Sequence, residues 1–144
     1  MVTKRFSFKK EERLCSRTIT QALFANGKSF VKYPFRVVYL KTDEAGSYPA
    51  QTLISVSKRR HKRANKRNLL KRRIREAFRL NKHLIYPLLE QQNQTIAIAL
   101  IYLSKEIMTF SEIEKGMIKV FEKLQHQLSE KEVNNDTNTP TTAS

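Results

Sequence analysis

Glycine and cysteine are nearly absent from this 144-residue chain, and the acidic side chains number 13 against 28 Lys and Arg. Three glycines are too few for a glycine-rich phosphate loop. A single cysteine, Cys15, makes no internal disulfide; it reads as an ordinary small residue in a chain suited to a reducing cytoplasm. No window of 18 residues is uniformly apolar, so no membrane-spanning helix is expected. The opening stretch MVTKRFSFKKEERL has no apolar run behind its lysines and does not read as a secretory signal. His61, His83 and His126 lie far apart, without metal-ligand spacing, and read as surface residues. The sparse carboxylates sit mostly beside lysines. No catalytic cluster and no protein-held metal are therefore expected, which argues against a self-sufficient enzyme.

What is abundant is positive charge. A formal net charge of +15 points to a polyanionic partner, nucleic acid before an acidic membrane. The charge is concentrated: from Lys58 to Arg75, eleven of eighteen residues are Lys or Arg and none is acidic. Leu70, Ile74, Ala77 and Phe78 fall on one face of a helix expected from about Ala64 to Lys82. Asn68, Arg72, Arg75 and Arg79 turn away from that face, and Lys71 sits at its edge. Arg67 turns toward the apolar side in the first turn. Like charges at this spacing destabilise an isolated helix, and bound phosphate relieves the cost. A basic helix embedded in a sheet-backed domain, with neither a helix-turn-helix partner nor dimer heptads, suits structured RNA better than a DNA groove.

Around this segment the pattern predicts a helix over Ser16–Asn26 with Ile19, Ala22 and Leu23 inward. Ser16 or Thr18 caps its start, and Asn26-Gly27 gives a left-handed stop. Strands are expected at Ser29–Lys32, Phe35–Leu40, Leu53–Ser57 and Thr95–Leu103, with a bend or edge at Pro34 and a polar loop from Lys41 to Pro49. Ser111-Glu-Ile-Glu114 reads as a capping box opening a last helix, whose buried stripe is Ile113, Met117, Val120, Phe121, Leu124 and Leu128. The order α-β-β-β-α-β-α makes an α+β two-layer sandwich, a four-stranded sheet with helices packed on it. Residues 1–128 form one domain, and 129–144 read as a disordered polar tail.

The run Ser57-Lys-Arg-Arg-His-Lys-Arg-Ala-Asn-Lys-Arg-Asn-Leu-Leu-Lys-Arg-Arg-Ile-Arg-Glu-Ala-Phe-Arg79 resembles the signature of the bacterial ribonuclease P protein subunit. Arg67, Asn68, Lys71, Arg72, Arg75, Glu76 and Phe78 match its helix motif, R-N-x-x-K-R-x-x-R-[EQ]-x-[FY]. Phe8-Lys-Lys-Glu-Glu-Arg-Leu14, Phe24-x-x-Gly27 and Phe35 agree as well, so the resemblance covers roughly residues 6 to 126. Three positions depart from the family. Leu69 stands where R-N-R has arginine; either a phosphate contact is missing there, or Leu69 packs on RNA or on the protein's own loop. Thr20 and Val38 replace family aromatics.

The resemblance implies the family fold, akin to ribosomal protein domain-2 folds. It also implies a cytoplasmic ribonucleoprotein endonuclease in which the RNA is the catalyst and holds the Mg²⁺. The complex removes the 5′ leader of precursor tRNA, and the protein alone is inactive. The partners implied are the catalytic RNA and precursor tRNA, with no membrane and no obligate protein partner. The RNA-binding residues are expected to be Lys58, Arg59, Arg60, Lys62, Arg63, Lys66, Arg67, Asn68, Lys71, Arg72 and Arg75. Phe24, Arg36 and Val38 are expected to hold the leader, whereas Phe35 is expected in the core. The alternative is a ribosomal or other structural RNA-binding protein; a transcription factor comes third.

Overall fold

The computed structural model describes residues 12–14, 16–42 and 49–143, with side chains described up to residue 129. Cys15, the first part of the N-terminal motif and most of the polar loop before Pro49 lie outside the described residues. The elements run α1 (Arg17–Asn26), β1 (Lys28–Lys32), β2 (Phe35–Thr42), β3 (Ala50–Val56), α2 (Ala64–Asn81), a 3₁₀ turn (Lys82–Leu84), α3 (Tyr86–Gln91), β4 (Thr95–Tyr102) and α4 (Phe110–Ala143). The four strands form one sheet in the order β1-β2-β4-β3. β1 pairs with β2 and β2 with β4 antiparallel, while β3 pairs with β4 parallel. Parallel pairing brings the C-terminal ends of β3 and β4 side by side, with Val56 opposite Tyr102.

Alternation along the strands sorts the side chains between two faces. Phe35, Val37 and Tyr39 of β2 join Ile96, Ile98, Leu100 and Tyr102 of β4 in the main core, under Leu70, Ile74, Ala77 and Phe78 of α2. The stripe expected on α4 closes this core: Ile113, Met117, Val120, Phe121, Leu124 and Leu128 are all buried. On the other face Ile19 and Leu23 of α1 cover Val38, Ala97 and Ala99. The α+β class and the single sheet are those expected, with the helices divided between both faces.

Local chemistry accounts for several differences of detail. Ser16 caps α1, its Oγ accepting from the Ile19 N–H at 3.2 Å. Gly27 is not in the left-handed region; its φ is −73°. Its small size is what matters, because a Cβ there would lie 2.4 Å from the Leu23 carbonyl oxygen and 2.9 Å from that of Tyr39. The capping box of α4 is Thr109–Glu112, two residues before the expected one. The Thr109 N–H donates to Glu112 Oε1 at 3.0 Å, and the Glu112 N–H donates to Thr109 Oγ1 at 3.2 Å. Helix α3 was not expected; Pro87 in its first turn favours its start. The stretch from 129, expected as a disordered tail, continues α4 as helical backbone to Ala143. The packed half of α4 supplies the costly nucleus, and each further residue with an N–H, which Pro140 lacks, can add one hydrogen bond.

Two anchors fix the sheet's ends. Gly116 of α4 meets the β1–β2 turn, where an added Cβ would stand 2.5 Å from Pro34 Cδ. Gly116→Ala is expected to lower stability by about 1–3 kcal/mol through this overpacking, read as a fall in melting temperature with RNA absent. At the other edge, the Leu14 N–H donates to the Thr52 carbonyl of β3 at 3.0 Å, and Arg13 bridges to the same residue. Glu12 beside them is buried. Its Oε2 accepts from Lys82 Nζ at 2.7 Å and from the Tyr86 hydroxyl.

Candidate nucleic-acid interface

The basic segment begins where β3 ends. Ser57 shapes it: its Oγ accepts from the Arg59 N–H at 3.0 Å, and its carbonyl accepts from the His61 N–H at 3.0 Å. This turn leaves Lys58, Arg59 and Arg60 exposed, as are Lys62, Arg63 and Lys66 farther on. Arg63 stands at the N-cap of α2 without a side-chain cap bond, and the first turn carries no acidic residue. The positive end of the helix dipole is therefore surrounded by cations, an arrangement that favours a bound anion.

Along α2 the outward side chains are those that the helical count selects. Asn68 and Arg72 are exposed; Lys71, Arg75 and Leu69 are half-buried. Arg67 has a more specific place than the motif suggests. Its Nη1 donates to the carbonyls of His61 and Lys62 at 3.0 and 2.9 Å, bracing the segment before the helix. Arg73 reaches the Met108 carbonyl at 2.6 Å. Arg79 is bound to Glu76, whose carboxyl is held below the usual range by that guanidinium.

Two expectations are corrected here. His61 is not a surface residue: it is 6% exposed, its Nε2 lies 2.8 Å from the Ser104 carbonyl oxygen, and its ring packs on Tyr102. Val38 is not available to a leader strand, because α1 covers it and leaves it 4% exposed. The other two residues expected to hold the leader differ. Phe24 is 50% exposed and Arg36 is exposed, whereas Phe35 is in the core as expected. Cross-strand register sets Val31, Arg36, Ile101 and Ser55 in one row, beside the row that α1 covers. Val31 in this row is 58% exposed. The uncovered part of the sheet thus offers apolar surface beside a guanidinium.

Sequence reasoning missed Lys105. It joins Ser57, Arg59 and Arg60 around an open pocket of about 570 Å³. Nothing near Lys105 in the sequence marks it; only the parallel pairing of β3 with β4 brings it to the basic segment. Among the described residues, no group of three or more His, Cys, Asp or Glu is placed to hold a metal, and no helix is long and apolar enough to cross a membrane.

The family model for ribonuclease P matches residues 8–125. This chain belongs to the ribonuclease P protein family. As such it is the protein subunit of ribonuclease P, acting in tRNA 5′ processing with an RNA subunit as partner. Its sequence is 42% identical over 114 residues to the ribonuclease P protein component of Porphyromonas gingivalis strain ATCC 33277, covering 79% of this chain and 83% of that one. In structure it is similar to the RNase P protein of Staphylococcus aureus, with TM-score 0.63 and 25% identity over 78% of this chain and 94% of the other. The Thermotoga maritima RNase P protein is alike at TM-score 0.62 and 26% identity, over 78% and 96% of the two chains. Membership removes the ribosomal and transcription-factor alternatives.

Proposed function

We propose that Lys58–Arg75 docks on the catalytic RNA of ribonuclease P, and that the uncovered sheet face beside α1 receives the 5′ leader of precursor tRNA. The observation that carries this is the outward presentation of the basic run from a rigid core. Lys58, Arg59, Arg60, Lys62, Arg63, Lys66 and Arg72 are exposed, while Leu70, Ile74 and Phe78 on the same helix are fully buried. Each cation near a phosphate releases counterions, and arginine adds a planar fork for its oxygens. For the leader, Phe24 supplies a stacking surface and Arg36 a charge; within the basic run, the pocket of Arg59, Arg60 and Lys105 takes a backbone phosphate of the catalytic RNA.

In this reading the protein binds and orients while the RNA cuts. Among the described residues no three His, Cys, Asp or Glu side chains come together, and the charged side chains are mostly cations, which repel a divalent ion. Mg²⁺ is assigned to the RNA subunit. The complex acts in the cytoplasm.

Reconstitution with the cognate RNA and a labelled precursor tRNA tests the proposal. Protein alone gives no cleavage, and protein added to RNA at low Mg²⁺ raises it. Phe24→Ala weakens binding of leader-bearing precursor by about tenfold, the scale of one lost base stack, and leaves mature tRNA binding unchanged. Cleavage by protein freed of RNA with micrococcal nuclease would refute the division of labour. Equal losses for precursor and mature tRNA would refute the leader assignment.

A further inference from the structure

His61 is the histidine this fold buries, whereas His83 and His126 are exposed. It is held at four points. Its N–H donates to the Ser57 carbonyl, its own carbonyl accepts from Arg67, its Nε2 meets the Ser104 carbonyl, and its ring lies 5.8 Å from that of Tyr102. A carbonyl oxygen only accepts, so Nε2 carries the proton in this contact. Ser104, the acceptor, is itself buried.

The loop on the far side of this contact is independently fixed. The Tyr102 hydroxyl donates to the Glu106 carbonyl at 2.7 Å and accepts from the Met108 N–H at 3.3 Å. Ser104 Oγ accepts from the Glu106 N–H at 3.0 Å, and Arg73 holds the Met108 carbonyl. The near side is a segment of like charges: Lys58, Arg59, Arg60, Lys62 and Arg63. Lys105 lines the same pocket as Arg59 and Arg60, and among the described residues no acidic side chain lines it. Coulomb repulsion drives the two sides apart, and a hydrogen bond in a buried position opposes it.

We propose that His61 is a positioning residue for RNA binding. It clasps the basic segment to the loop between β4 and α4, and so sets Arg59 and Arg60 at the right separation from Lys105 to share one phosphate. This rests on the reading that the pocket takes an RNA phosphate. His61 does not touch the RNA; its effect passes through the spacing of three cations.

The test is a double-mutant cycle on the complex of the cognate RNA with precursor tRNA. It uses His61→Phe, His61→Gln, Lys105→Ala and the pair His61→Phe with Lys105→Ala, each with a melting curve. Phe fills the site without a donor and is expected to weaken binding about tenfold while the protein stays folded. Gln places an amide N–H where Nε2 lies and restores most of the affinity. Lys105→Ala loses a similar factor, and the pair is no weaker than Lys105→Ala alone. Should His61→Phe not fold, His61→Asn, too short to reach Ser104, takes its place against His61→Gln in the same cycle. Wild-type affinity in a folded His61→Phe protein, or losses that multiply in the pair, would overturn the proposal. Unchanged binding by Lys105→Ala would instead remove the phosphate pocket itself, and the proposal with it.

Discussion

Changing Lys71, Arg72 and Arg75 together to alanine lowers affinity for the RNA subunit by at least about two orders of magnitude, at roughly 1–3 kcal/mol per phosphate contact. The salt dependence shallows by about two to three ions. Stability moves the other way. Arg75 lies three and four positions beyond Arg72 and Lys71, and each like-charge pair removed is worth about 0.2–0.5 kcal/mol to the helix. A variant that melts no lower than the parent but binds far more weakly separates the interface from the fold. Filter binding across a salt series, beside circular dichroism, reads both. Wild-type salt slopes in the folded variant would place the RNA on another surface. Arg67→Ala belongs to a different class, because it also removes the brace on the His61 and Lys62 carbonyls.

Ile74→Asp abolishes the fold. Ile74 is fully buried between α2 and the sheet, in the cluster with Leu70, Phe78 and Phe121. The substitution removes an aliphatic side chain worth about 2–5 kcal/mol in such a site and leaves a carboxylate without a partner. The whole stability of a domain this size is about 5–15 kcal/mol. Loss of the cooperative thermal transition, with no restoration by RNA at about 100 times the parent's Kd, is the expected result; binding on that scale returns only about 2.7 kcal/mol.

The core was legible because its signal is local. Leu70, Ile74, Ala77 and Phe78, or Ile113 through Leu128, reveal a buried stripe by spacing alone, and both stripes are buried in full. The exposed basic residues were readable by the same count. What was not legible depends on distant partners. His61 reads as a surface histidine until its acceptor, 43 residues away, is in place. Lys105 reads as one more lysine until β3 and β4 pair in parallel. Val38 alternates correctly with Val37, yet which part of its face α1 covers is decided by packing. The chain also offers two capping boxes, at Thr109–Glu112 and Ser111–Glu114. The first closes, and Arg73 holds the carbonyl of Met108 just before it.

The short segment along β3 bears on how the protein behaves at high concentration. A sheet edge with free amides and carbonyls is a template for another chain. The β1 edge carries exposed Lys28 and Lys32, which discourage such pairing; β3 has no charged side chain along its own length, the basic segment starting only beyond its end, and relies on its cover. Residues 12–14 supply that cover, and the Glu12–Lys82 ion pair pins it down. If the pin is lost, one barrier to strand-to-strand aggregation remains: mutual repulsion between molecules of net charge +15. Salt shortens the reach of that repulsion to about 3 Å at 1 M, and bound RNA cancels it. The Glu12 side chain, at the sheet edge opposite β1, thus guards the colloidal stability of the protein under the conditions in which charge no longer does.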